Sequence, residues 1–169
     1  MKTIFAALGC SALLSVSAFA QAGAVSKADQ DFIEAAAQTD MLEVHLGQMA
    51  QDQAGEQKVK DYAQMLVTDH TNDYTQVTAL AAKLGATVPK GIDAAGNRMI
   101  APFEKTKGKV FDKHYVHDMI AGHEKAIAAY KKEDAKTQNA DIKTYIEATL
   151  PTLEKHLHDA QDLEKGKTS

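Results

Sequence analysis

The sequence predicts an all-α protein, an antiparallel four-helix bundle made of two helical hairpins joined by one longer connection. Four long stretches repeat apolar residues at spacings of three and four, which is typical of helices with one core-facing side. Short turns at Gly55 and at residues 138–140 divide each hairpin. The segment GATVPKGIDAAGNR, residues 85–98, holds three glycines and a proline and separates the hairpins. Long helices with short loops inside each pair favour a bundle.

The first hairpin carries clear signals at its helix ends. Ser26 is expected to be the N-cap of the first helix, with Asp29 three residues later, and that helix runs to about Asp52. The second helix is predicted over 56–84, with Gly85 as its C-cap residue and Pro89 shortly after. A short helix is expected over 99–107, ending near Gly108.

The second hairpin is predicted to contain helices over about 111–134 and 141–165. Pro151 falls inside the last helix, where it removes one backbone hydrogen bond and is expected to bend the axis. Such a bend lies within two turns of His156 and would change the direction of that side chain.

The N-terminus has the pattern of a secretory signal peptide over residues 1–20. Lys2 precedes an apolar run, and Ala18-Phe19-Ala20 forms a small-x-small cleavage site, so we expect cleavage after Ala20 and a mature domain over 21–169. The expected location is the periplasm. Lipoprotein processing at Cys10 is disfavoured, because the preceding residues lack the usual leucine three positions before the cysteine.

Composition excludes several classes of protein. Cys10 is the only cysteine and would leave with the leader, so the mature domain has no disulfide, thiolate nucleophile or cysteine-rich zinc site. The net charge is -4 at pH 7 and the basic residues are scattered, which argues against nucleic acid as a partner. No segment after the leader is apolar enough to predict a transmembrane helix in the mature protein.

The stretch MLVTDHTNDYTQV, residues 65–77, interrupts the apolar face of the second helix. Asp69, His70 and Asp73 occupy that face for two turns, between Leu66 and Val77. Burying ionisable groups costs several kcal/mol each unless they are paired, neutralised or bound to a metal. The other three long helices therefore ought to supply partners.

Each of those helices places one polar residue on its inward face, and these are Glu43, His123 and His156. Antiparallel packing brings such groups to a similar height, which is how helical bundles build internal metal sites. The sequence thus predicts a site for a divalent transition metal such as Zn, Cu, Fe or Mn. The candidate ligands are Glu43, Asp69, His70, Asp73, His123 and His156.

Two other hypotheses stay open. The same residues could form a buried hydrogen-bond network without a metal, in a structural or interaction module of the cell envelope, because such a network also specifies how helices align. An enzyme using acid–base chemistry has little support, since the sequence holds neither a nucleophile elbow nor a phosphate-binding glycine loop.

The segments EVHLGQMA, VKDYAQMLVTDHT, FDKHYVHDMIAGHEKAI and LPTLEKHLHDAQDL resemble the exported bacterial family called domain of unknown function 4142. The resemblance covers about residues 27–164. It implies a ferritin-like four-helix bundle and an exported location, but no established activity. The residues that match the family's motif positions are Glu43, Asp69, His70, Asp112, Tyr115, His123, Pro151 and His156.

One departure from ferritin-like oxidases bears on function. Those enzymes use a Glu-x-x-His motif on two helices, which aims both side chains into the core. Here Val67, Ile120 and Leu153 stand three residues before the three candidate histidines. The sequence therefore argues against an oxygen-activating di-iron centre, and it leaves metal handling or envelope stress protection as the expected role.

Overall fold

A computed structural model describes residues 25–166 of the chain. The signal peptide expected over residues 1–20 lies outside the described residues. Within them the element order is four long helices and one short one: α1 Lys27–Gln53, α2 Gln57–Leu84, α3 Ala94–Ile100, α4 Gly108–Asp134 and α5 Ala140–Glu164. The predicted all-α class and the antiparallel four-helix bundle are confirmed. No helix among the described residues is both long and apolar enough to cross a membrane.

The hairpins α1–α2 and α4–α5 pack so that α2 lies against α5 and α1 lies against α4. The end of α1 meets the start of α4, because Ala54 forms a β-bridge with Gly108. The connection from α2 to α4 must therefore travel the length of the bundle. It runs along the outside of α1, where the side-chain amides of Gln30 and Gln38 bond the backbone of Thr87 and Gly91. One long crossover of this kind is the connectivity of ferritin-like bundles.

The helix-end signals at the first hairpin are confirmed. The Ser26 side chain accepts a hydrogen bond from the backbone N–H of Asp29 at 3.1 Å and caps α1. Gly85 ends α2 with φ of 69°, the left-handed conformation that glycine adopts without steric cost.

The short helix differs from its predicted place. It spans Ala94–Ile100 and not residues 99–107. The reason is a cap within the glycine-rich connection: the Asp93 carboxylate accepts from the backbone N–H of Gly96 at 2.7 Å and starts the helix early. The next helix, α4, then begins at Gly108, where φ is 61°.

The apolar core is divided into two clusters by a polar layer. One cluster lies around Leu46, Leu66, Phe103 and Phe111, near the α1–α2 turn. The other cluster lies around Ile33, Val77, Ile142 and Ile146, near the opposite end. Between them the four long helices carry buried polar side chains, namely Asp40, Glu43, His70, Asp73, His123, Thr149 and His156. The interruption expected from the sequence is thus a layer that crosses the whole bundle.

Asp112 closes the α1–α2 turn from the neighbouring hairpin. Its two carboxylate oxygens accept from the backbone N–H groups of Gly55 at 2.9 Å and Glu56 at 3.1 Å. Glu56 makes no side-chain cap of its own, so Asp112 supplies the charge and the acceptors at the N-terminus of α2. This motif position of the resemblance therefore has a role in the fold and lies apart from the core histidines.

Replacing Asp112 should destabilise the fold, because two backbone donors of a partly buried turn lose their acceptors. We expect Asp112→Ala to lower the free energy of unfolding by about 2–3 kcal/mol, measured by urea denaturation. Asp61→Ala is the control. It removes an exposed carboxylate of α2 that accepts a hydrogen bond from the side chain of Gln57, and it should change the free energy of unfolding by less than about 0.5 kcal/mol. Equal effects of the two substitutions would contradict the capping role.

Candidate metal centre

Three histidines from three helices meet in the polar layer. His70 of α2, His123 of α4 and His156 of α5 are each at most 2% exposed. Each offers one ring nitrogen to a group in which all ligand atoms lie within 4.8 Å of one another. His123 Nε2 lies 3.3 Å from His156 Nδ1. The imidazole rings pack with centroids 5.3 to 5.8 Å apart, mostly edge to face.

Each imidazole is held from behind by an oxygen acceptor. His70 Nδ1 lies 2.8 Å from Asp40 Oδ1, and His156 Nε2 lies 2.9 Å from Asp69 Oδ2. His123 Nδ1 lies 2.8 Å from the backbone carbonyl of Met119, one turn earlier on the same helix. A carbonyl oxygen can only accept, so Nδ1 of His123 carries a proton and its Nε2 presents a lone pair. Histidines that bind metals in proteins are oriented by the same kind of outer partner.

His123 and His156 are neutral near pH 7. Burial lowers the pKa of His123 to about 3, and the neighbouring imidazoles of His70 and His156 add to that effect. Burial also lowers the pKa of His156, against the opposing influence of Asp69. With its Nε2–H donating to Asp69, a neutral His156 presents a lone pair on Nδ1. Two lone pairs therefore face each other at 3.3 Å with no proton between them.

His70 is oriented differently from the other two. Its Nε2 is buried and has no hydrogen-bond partner. Burial lowers the pKa of His70, but the hydrogen bond that it donates to Asp40 and the charge of Glu43 outweigh burial and raise the net value. Burial in turn raises the pKa of Asp40 to about 7. Asp40 and His70 therefore titrate as an interacting pair, and the hydrogen bond between them joins α1 to α2.

The three carboxylates predicted as ligands lie outside the group of converging histidine nitrogens. Both oxygens of Asp73 are occupied, since Tyr145 donates to one at 2.7 Å and Thr149 donates to the other at 3.1 Å. Asp69 bonds His156 from the outside and its side chain is 37% exposed. Glu43 is buried, its charge acts to raise the pKa of His70, and its Oε2 has no partner. The ligand atoms that converge belong to the three histidines and to no carboxylate.

Asp40 is the part of the site that the sequence analysis missed. It is 2% exposed and its side chain contacts His70, yet Glu43 was the only polar residue expected on the inward face of α1. Thr39 is only half-buried and its hydroxyl donates to the carbonyl of Ala35. A signal did exist, because Asp40 lies seven residues after Ile33 and three before Glu43, on the same helical face.

The other candidates of the sequence lie outside the cluster. The Tyr115 hydroxyl is buried without a partner. The remaining histidines, His45, His114, His117 and His158, are exposed. Pro151 lies within α5, which continues through it to Glu164.

The measured geometry suits a small divalent cation. Two nitrogens bound tetrahedrally to one zinc ion at about 2.0–2.1 Å lie about 3.3 Å apart, which matches the His123–His156 separation. The His70 ligand nitrogen lies within 4.8 Å of the other two, so that it joins the same ion only after the three rings draw closer together. Asp40, Asp69 and Glu43 surround the imidazoles and would balance the charge of a buried dication.

Fold and site together define a ferritin-like helical bundle with a histidine cluster in its core. The chain belongs to the family described as "Domain of unknown function (DUF4142)", whose model matches residues 14–163. A solved DUF305 fragment from Deinococcus radiodurans has the same fold, with a TM-score of 0.72 at 12% sequence identity. That match covers 83% of this chain and 97% of the fragment. No curated protein matches the sequence.

The lowered pKa of His123 predicts a pH dependence of stability in the metal-free protein. Its ordinary pKa is 6.5 and its folded value is about 3, so between these values the unfolded chain binds a proton that the folded chain does not. Stability is therefore present above pH 6.5 and is lost as the pH falls toward 3. In the presence of chelator, His123→Gln should remove about 1.3 kcal/mol per pH unit from the slope between pH 6 and 4. Parallel stability curves for the two proteins would contradict a neutral buried His123.

Proposed function

We propose that this protein is an exported helical bundle that binds one divalent transition-metal ion in its core and handles that metal in the cell envelope. The ligands are His70, His123 and His156. One observation carries the proposal: three buried imidazoles turn unprotonated or unpartnered nitrogens toward one point, while their outer nitrogens are held by Asp40, Asp69 and the Met119 carbonyl. The signal-peptide pattern over residues 1–20 supports the exported location.

A cation explains contacts that a metal-free core leaves costly. Facing lone pairs repel each other, and a buried ring nitrogen without a partner costs about 1–3 kcal/mol. A metal ion bound by both nitrogens and by His70 Nε2 removes these costs together. The absence of carboxylates from the converging set favours zinc or copper over manganese, because imidazole suits the former metals and carboxylate oxygen the latter. Glu43 has a buried oxygen without a partner but lies outside this converging set.

Metal content tests the proposal directly. The mature protein, purified without a histidine tag and incubated with zinc or copper, should retain about one equivalent after desalting, because three protein nitrogens hold the ion. Elemental analysis measures this stoichiometry. His123→Ala should bind less than about a tenth of an equivalent, and His45→Ala, which changes an exposed histidine, should bind as the wild type does. Less than a tenth of an equivalent in the wild type with every divalent metal offered would overturn the proposal.

The second candidate function is a metal-free module in which the polar layer fixes the alignment of the helices. The hydrogen bonds from Tyr145 and Thr149 to Asp73, which involve no histidine, favour it. Thermal melting separates the two functions, because an ion that binds only the folded state stabilises it. We expect the protein as isolated to melt several degrees higher than after treatment with chelator, and zinc to restore the difference. A melting temperature that neither chelator nor zinc changes would favour the metal-free module.

A further inference from the structure

A cleft between α2 and α5 leads from the surface to the histidine cluster. Its volume is about 200 Å³, and both His70 and His156 lie in its wall. Asp69 and Asp73 line it from α2, and Thr149 and Thr152 line it from α5. His70, whose Nε2 has no hydrogen-bond partner, is therefore buried and yet lies in the wall of a cleft that opens to solvent.

The charge of the cleft favours cations. Of the described residues that line it, two are carboxylates and none is a lysine or an arginine. Asp69 is the more exposed of the two acids, and its Oδ2 already contacts the outer nitrogen of His156. A negatively charged cleft raises the local concentration of cations and speeds their arrival.

The opposite side of α2 offers a useful contrast. A second cavity, of about 360 Å³, lies between α1, α2 and the crossover connection, next to Thr71 and Ile92. It reaches Asp40 but none of the three core histidines. A cation in that cavity would meet the back of the site, where the Asp40–His70 hydrogen bond blocks the way.

We propose that the α2–α5 cleft is the route by which the divalent ion enters and leaves the core, and that Asp69 is its first ligand on the way in. This inference rests on the proposed function and goes beyond it. It makes the metal an exchangeable cargo and not a permanently enclosed structural ion, because sealed structural sites leave no open side. Asp69 then has two successive roles: it captures the hydrated ion at the mouth, and it orients His156 afterwards.

Uptake kinetics in the full mature chain test the route. Metal-free protein is mixed with zinc in a stopped-flow instrument, and an indicator reports free zinc. Thr152→Trp fills the cleft and should slow association about tenfold or more while leaving the final stoichiometry at one equivalent. Thr71→Trp places the same bulk in the second cavity and should leave the rate unchanged. Equal rates for both variants and the wild type would overturn the proposed route.

A second pair of variants tests the electrostatics without changing the core. Gln76 and Gln48 are both exposed, and they line the cleft and the second cavity respectively. Gln76→Lys should slow association about threefold at low salt, and the effect should vanish near 0.5 M salt, because screening removes it. Gln48→Lys should have a smaller effect. Equal slowing by both lysines would show that the association rate depends on the net charge of the protein and not on the charge of the cleft. That result would overturn the proposal.

Capture of the ion by Asp69 is distinguished from orientation of His156 by comparing the rates of zinc association and dissociation. If Asp69 captures the ion, Asp69→Asn lowers the association rate about tenfold and weakens its salt dependence. If Asp69 only orients His156, the same variant speeds release and leaves association unchanged, which would contradict capture. Failure of the proposed function appears differently, as less than a tenth of an equivalent of zinc bound by the wild type.

Discussion

The constraint on which this structure depends is the burial of three imidazoles that turn ring nitrogens toward one another in the core. Each ring is fixed by an outer acceptor, Asp40, Asp69 or the Met119 carbonyl, so rotation cannot relieve the contact. Because the outer nitrogen of His123 must donate, its inner one must face His156 as a lone pair. The proposed cation would remove the cost of this arrangement, and it is the step that leads from the fold to the proposed function.

The rest of the bundle supports that arrangement. Apolar clusters above and below the polar layer stabilise the fold by about 1.5–3 kcal/mol for each large side chain that they bury. That gain offsets the polar layer, whose own contacts tie the hairpins together: Asp40 of α1 bonds His70 of α2, and Asp73 of α2 accepts from α5. The Tyr62 hydroxyl adds a bond to the backbone carbonyl of His156. These contacts fix the relative heights of the helices, and therefore the spacing of the three histidines.

Much of this could be predicted from the sequence. Apolar periodicity gave the four long helices to within a few residues, and the interruptions of that periodicity pointed to all three histidines. Asp40 was missed because Glu43 was taken as the single polar residue on the inward face of the first helix. The hydrogen-bond partners of Asp73 could not be predicted, because a contact with Tyr145 or Thr149 depends on the axial position of α2 relative to α5. The short helix α3 was misplaced because Asp93 starts it from within a glycine-rich connection.

Protonation of the three rings is the most direct test of the central claim. Nitrogen-15 NMR of histidine-labelled, metal-free protein should show His123 protonated on Nδ1 and His156 on Nε2, with bare nitrogens facing each other. Addition of one equivalent of zinc should shift the signals of those bare nitrogens and of His70 Nε2, and leave the outer nitrogens protonated. A proton shared between His123 Nε2 and His156 Nδ1, with spectra that zinc does not change, would contradict the account.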